Sequence, residues 1–166
     1  MYLKESKVSA DRSAGVHIKA GVLYVAVVTR VRGELELLAT KRIHPNSGLP
    51  DSIRLDDLAA RVRQHLSPLH VSEIGILETR SFANWKYADA FSRVFAVCAV
   101  LAASTELGVP AVTHKTGEVG RAMSLKANEL KTLESSAVNE STNPTYWTTG
   151  MAEAAAVAIY IAKMRG

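Results

Sequence analysis

From residue 15 to residue 45 the chain reads GVHIKAGVLYVAVVTRVRGELELLATKRIHP, rich in Val, Ile, Leu and Tyr. It is punctuated at Gly15, Gly21 and Gly33 and stopped at Pro45. Two or three strands joined by tight turns fit this pattern. Between Val22 and Val31 the run is nearly continuously apolar, which predicts a central strand covered on both faces. ELELLATKRI, residues 34–43, alternates more and reads as an antiparallel neighbour.

A loop, HPNSGLPDS, follows, and Asp51 or Ser52 can cap the next helix. Leu55, Leu58, Ala59, Val62 and Leu66 recur at helical spacing, with Arg54, Arg61 and Arg63 on the wetter side. VSEIGILE, 71–78, is the next strand and ends on a carboxylate, Glu78. A long helix is predicted over 84–108, with Asn84 as its cap and Gly108 as its stop. VPAVTHK is a short strand, and a helix begins at Thr116. Residues 126–149 are polar and loop-like, and MAEAAAVAIYIAKMRG is a closing Ala-rich helix. A meander followed by alternating strands and helices predicts an α/β layer with a mixed sheet. The polar residues 1–14 read as a flexible leader, and 15–166 as a single domain.

Composition narrows the class only a little. Hydrophobic content of 48% and charged content of 22% are ordinary for a globular chain. No segment reads as apolar over the ~18 residues of a membrane span, so no membrane partner is expected. The lone Cys98 lies in an apolar helical run and reads as a buried small hydrophobe, suited to a reducing cytoplasm. A net charge of +4 is compatible with nucleic acid without selecting it.

Three stretches carry a resemblance. GVHIKAGVLYVAVV is similar to an opening strand of the form Gly-Ile-Asp-Pro-Gly followed by small and aromatic residues. The stretch IGILETRSFANWKYADAFSRVFAVCAVLAASTELGVPAVTHKTGEVGRAM resembles a strand ending in Glu, an Asn-bearing loop, a long helix, and a short strand leading to a helix. GMAEAAAVAIYIA is similar to a closing helix Asp-Ala-Ala-Asp-Ala-Leu-Ala-Ile-Ala. Together they resemble the RuvC family of Holliday junction resolvases, within the ribonuclease H-like superfamily. The likeness spans most of residues 15–162 and implies a ribonuclease H-like mixed β-sheet flanked by helices.

The resembled enzymes use four carboxylates on two divalent metals about 4 Å apart, which activate water and stabilise the leaving oxygen. Here Glu78 matches the strand glutamate. His17 or Lys19 stands where the first-strand Asp is expected. Glu153 matches the first acid of the closing helix in one register, and Ala155 or Ala156 replaces the second. At most two of four ligands remain. The resemblance therefore implies a degraded nuclease, a pseudonuclease with Glu78 and Glu153 as vestigial or weak catalytic positions and no cofactor. Its function would be nucleic-acid binding or scaffolding. The alternative is an active metal-dependent Holliday junction endonuclease holding Mg or Mn through Glu78, Glu153 and His17. A further alternative is a structural module whose cleft meets a protein partner.

Expected contacts to branched or duplex DNA are Arg80, Trp85, Lys86, Lys115, Arg121, Lys126 and Lys131. Each also has an ordinary reading: Glu78 as an acid where the chain leaves the core, Trp85 as a staple at the helix start, the lysines as solvated surface. His114 beside Lys115 stands where a strand exits toward a helix and reads either as a phosphate contact or as part of a solvated loop. Tyr146 and Trp147 are loop residues and candidate partner contacts. The Ala- and Val-rich face of the long helix covers the sheet and, by the resemblance, also builds a homodimer.

Overall fold

The computed structural model describes residues 11–78 and 85–166. Its sheet has the order β3-β2-β1-β4-β5, where β1 is Arg12–Lys19, β2 Val22–Val31, β3 Glu34–Ile43, β4 Glu73–Glu78 and β5 Ala111–Lys115. β1, β2 and β3 form an antiparallel meander, while β4 pairs parallel with both β1 and β5. The two hairpin turns, Ala20-Gly21 and Arg32-Gly33, have positive φ at both central residues. That is the conformation whose twist matches two-residue hairpins.

Helices cover both faces, as the mixed α/β pattern predicts. One face carries α1 (Asp51–Leu66) and α2 (Tyr87–Leu107). The other carries α4 (Met151–Arg165), while the short α3 (Thr116–Ala122) follows β5. β2 shows why its sequence is apolar throughout. Val25 and Val27 face α1 and α2, whereas Tyr24, Ala26 and Val28 face α4. Period-two alternation thus feeds two cores.

Five expectations are corrected. β1 begins at Arg12, inside the segment read as a leader, because Ser13 and Ala14 are small enough to be buried opposite Val28 and Val27. The polar stretch 126–149 is ordered by 3-10 turns at Ala127–Thr132, Ser135–Val138 and Trp147–Thr149. Trp147 there is buried and donates its Nε1–H to the Leu133 carbonyl at 2.8 Å. It roofs the outer side of α4 with Leu130, Leu133 and Val138 rather than offering itself to a partner. Cys98 is exposed, because it falls on the face of α2 turned away from the sheet. α2 is long and apolar enough, by length and composition, to cross a membrane, although one side packs on the protein core.

The helix termini follow local chemistry. The expected cap of α2, Asn84, lies outside the described residues. At Lys86 the backbone N–H is instead accepted by the Asp89 carboxylate, at 3.4 Å. Gly108 closes α2 in the left-handed conformation, as its position suggested. α1 starts after Pro50, with Asp51 paired to Arg54 one turn on.

Candidate functional site

Because β1, β4 and β5 run parallel, their carboxyl ends meet at one end of the sheet. Such ends are where open α/β sheets gather ligands. A cleft of about 420 Å³ opens there, lined by His17, Ile18, Lys19, Trp85, Asp89, Arg93 and Glu153, among others.

Small residues set the approach of α4. Gly15 and Gly75 are register partners on β1 and β4. A side chain at Gly15 would collide with the Ala154 carbonyl, and one at Gly75 with Val157 and Ile161. α4 therefore lies directly on the two strands. Its first turn carries Glu153 to the cleft, where Oε2 meets His17 Nε2 at 3.1 Å. Burial opposes ionisation of Glu153. The hydrogen bond from His17, the charge of His17, a backbone hydrogen bond and the charge of Lys19 outweigh it, holding the carboxyl below its ordinary pKa. Lys19 shares the face of His17, one step further out, and donates to the Thr149 carbonyl at 3.3 Å. His17, not Lys19, is therefore the strand residue set against the closing helix.

Glu78 belongs to a different arrangement. Alternation along β4 turns Gly75 and Leu77 to α4, and Ile74, Ile76 and Glu78 to the side of α2. Arg93 of α2 reaches the strand tips on that side. The Arg93 guanidinium donates from Nη2 to the Leu77 carbonyl at 2.6 Å and from Nη1 to the Ile18 carbonyl at 3.4 Å. Burial lowers the Arg93 pKa, and the charge of Glu78 works against that lowering. Arginine remains a cation in this setting.

Glu78 and Glu153 are thus divided between the faces of the sheet, Glu153 against His17 and Glu78 on the side of Arg93. Among the described residues no group of three or more His, Cys, Asp and Glu side chains could hold a metal ion. Among the described residues lining the cleft, His17 Nδ1 and Glu153 Oε1 are buried without a hydrogen-bond partner. One carboxylate oxygen and one imidazole nitrogen are a poor match for the oxygen-rich shells of Mg²⁺ or Mn²⁺. The donor set does not fit a two-metal centre.

The remaining expected residues scatter. Trp85 lines the cleft and Lys86 is exposed beside it. Lys115 is exposed at the tip of β5, register partner of Glu78. Arg121, Lys126 and Lys131 are exposed on α3 and beyond, and none lines the cleft. Arg80 lies outside the described residues. His114, read as either a phosphate contact or part of a solvated loop, packs edge-on against Tyr160, at 5.1 Å between centroids. Tyr146 stacks under Arg42 and bonds to it through its hydroxyl.

Sequence reasoning passed over Arg93, the central cation of the cleft. Its only signal was a charge within the apolar face of a long helix. It also passed over a cavity of about 490 Å³ between β3 and α1, lined by Lys41, Arg42, Arg61 and His65. Burial, and then Lys41, lower the His65 pKa, which favours the neutral imidazole. That cavity is larger, but it lies at the β3 edge and holds no acid.

No protein-family model matches the chain, and no curated protein matches its sequence. Solved structures do. Thermus thermophilus RuvC is 21% identical with a TM-score of 0.72, the match covering 93% of this chain and 96% of that one. T. thermophilus RuvC in complex with Holliday junction substrate gives 21% and 0.71, over 92% of this chain and 96% of that one. The yeast mitochondrial Holliday junction resolvase is 10% identical with a TM-score of 0.57, over 90% of this chain and 76% of that one. Strand order, the helices on both faces and these matches together mean that this chain has the ribonuclease H-like fold seen in the RuvC structures.

Proposed function

We propose that this protein binds branched or duplex DNA without cleaving it, as a resolvase-fold protein with a degraded two-metal site. The observation that carries the reading is the division of the two acids. Glu153 is engaged by His17 on the α4 face, and Glu78 stands on the α2 face, so the two acids do not converge on one ion. The neighbour solved with Holliday junction substrate supports DNA as the ligand class. Lys19, Trp85, Lys86 and Lys115, at the carboxyl ends of the strands or just beside them, supply phosphate contacts and one stacking surface.

A homodimer through α2 belongs to the same reading. Tyr87, Phe91, Val94, Cys98 and Leu101 are all exposed, at alternating spacings of four and three residues. That is the stripe of a helix-to-helix seam. It also gives the membrane-like composition of α2 a use in water, since a pair of such stripes buries one against the other.

The test is a titration of a fluorescent four-way junction at several salt concentrations. The expected result is affinity that falls linearly on a log–log plot, with a slope reduced by about one for each phosphate-contacting lysine replaced. Junction affinity that does not respond to salt, or no binding at low salt, would contradict the reading and favour a protein partner for the cleft.

A further inference from the structure

The turn at 141–149 leads into α4 and crosses β1, β2 and β3 at the cleft end of the sheet. It is held at three points. Lys19 Nζ at the tip of β1 donates to the Thr149 carbonyl at 3.3 Å. The Tyr24 ring on β2 lies directly under Gly150, where a Cβ would come within 2.8 Å of it. Arg42 of β3 donates from Nη2 to the Tyr146 hydroxyl at 3.0 Å, and its guanidinium stacks on the Tyr146 ring, 3.8 Å from the centroid. Tyr146 has the left-handed conformation, with a φ of 63°, which is uncommon for a bulky side chain. Its carbonyl sustains that shape by accepting from the backbone N–H groups of Thr149 and Met151 and from Thr149 Oγ1. Backbone strain of this kind persists only where the surroundings fix it. Here it sets the ring against Arg42.

The result is a surface with many donors and no acid of its own. Thr145, Tyr146, Thr148 and Thr149 are exposed, and residues 141–150 include no Asp or Glu. Among the described residues neither Lys19 nor Arg42 is in an ion pair. Hydroxyls beside Lys and Arg are the groups that contact a sugar-phosphate backbone. Register sets the reach. His17 pairs with Tyr24 and Tyr24 with Arg42, so Arg42 stands two strands, roughly 10 Å, from His17 in the cleft. That is about three base-pair steps along a duplex. We propose that Arg42 and Tyr146, with the hydroxyls of the turn, form a second phosphate-contacting surface that receives a double-helical DNA arm leaving the cleft. The proposal rests on the DNA-binding reading and adds Arg42, Tyr146 and the turn to it.

The probe is a fluorescent DNA duplex, titrated over a series of salt concentrations with wild type, Arg42→Gln, Arg42→Lys and the cleft variant Lys86→Gln. Arg42→Gln should lower the log–log salt slope by about one. Between about 50 and 200 mM salt the wild type should therefore lose about threefold more affinity than this variant. Arg42→Lys keeps the charge and should keep the slope. Should Arg42→Gln fail to fold, Thr148→Glu takes its place. That side chain is exposed, so the fold accepts the acid, which should weaken duplex binding by about fivefold at low salt. A slope that Lys86→Gln lowers and Arg42→Gln leaves unchanged would overturn this proposal while the DNA-binding reading stands. Equal losses in Arg42→Lys and Arg42→Gln would make the stack a structural brace and overturn it as well. Unchanged affinity in Thr148→Glu would do the same and give the turn to a protein partner. A wild type that binds no duplex and no four-way junction at low salt would remove the DNA-binding reading and this surface together.

Discussion

His17 on β1 and Glu153 on α4 face each other at 3.1 Å, joining the start of the chain to its final helix at the mouth of the cleft. The Glu153 carboxyl ionises below its ordinary pKa in the fold. Its contribution to stability is therefore complete above the unfolded value, about 4.3, and is lost as pH falls through the lower folded value. Replacing Glu153 by Gln should cost about 1–2 kcal/mol near neutral pH, and progressively less toward strong acid. Urea unfolding of both proteins at a series of pH values checks this. A loss independent of pH would assign Glu153 a packing role only.

Close approach of α4 predicts an asymmetry between two glycines. At Gly15 an added methyl meets backbone atoms of Ala154 and Ala158, which cannot rotate away. At Gly75 it meets the ends of the Val157 and Ile161 side chains, which can. Gly15→Ala should therefore destabilise by roughly 3 kcal/mol or more, and Gly75→Ala by about 1–3 kcal/mol. Thermal unfolding ranks the two. Equal losses would mean that α4 shifts as a body to make room.

The exposed stripe on α2 predicts a concentration-dependent dimer. Val94 is 60% exposed, so charge placed there meets solvent in the monomer and is tolerated by the fold. Val94→Glu with Leu101→Glu should leave circular dichroism unchanged and convert the dimer to monomer in multi-angle light scattering. A wild-type protein that stays monomeric at high micromolar concentration would remove the dimer from the account.

Trp147 is a test of the packed roof over α4. Its Nε1–H bond to Leu133 and its burial predict a loss of about 3–5 kcal/mol for Trp147→Ala. Trp147→Phe should lose about 1–3 kcal/mol, leaving the Leu133 carbonyl without its donor. Trp85, half-buried at the cleft, should be the residue quenched by added DNA. Fluorescence of the single-tryptophan variants Trp85→Phe and Trp147→Phe separates the two signals.

Much of this architecture is legible in the residues, for a physical reason. The double-sided apolar run Val22–Val31 and the single-sided 34–43 betray a covered strand and its edge neighbour. Glu78 betrays a strand tip because an acid follows four buried positions. The closing helix is apolar on nearly every side, and its roof is the weakly patterned stretch 126–149. Short 3-10 turns have too few residues to show a period, so Trp147 read as a loop residue. Cys98 misread as buried because α2 is apolar on its outer face too, and periodicity cannot say which apolar face is the inner one. The pairing of His17 with Glu153 depended on the register of α4, which Gly15 sets through packing. Arg93 and its carbonyl acceptors are joined only by the fold, since backbone oxygens leave no trace in a sequence.

The central claim is that the cleft binds a junction and does not cut it. The most direct measurement incubates a labelled four-way DNA junction with the purified protein, with and without magnesium or manganese. Binding is read on a native gel and strand length on a denaturing one. The account predicts a shifted, salt-sensitive complex whose strands remain full length in both metals. Metal-dependent shortening of the strands that Glu78→Gln abolishes would contradict it and make Glu78 a working metal ligand.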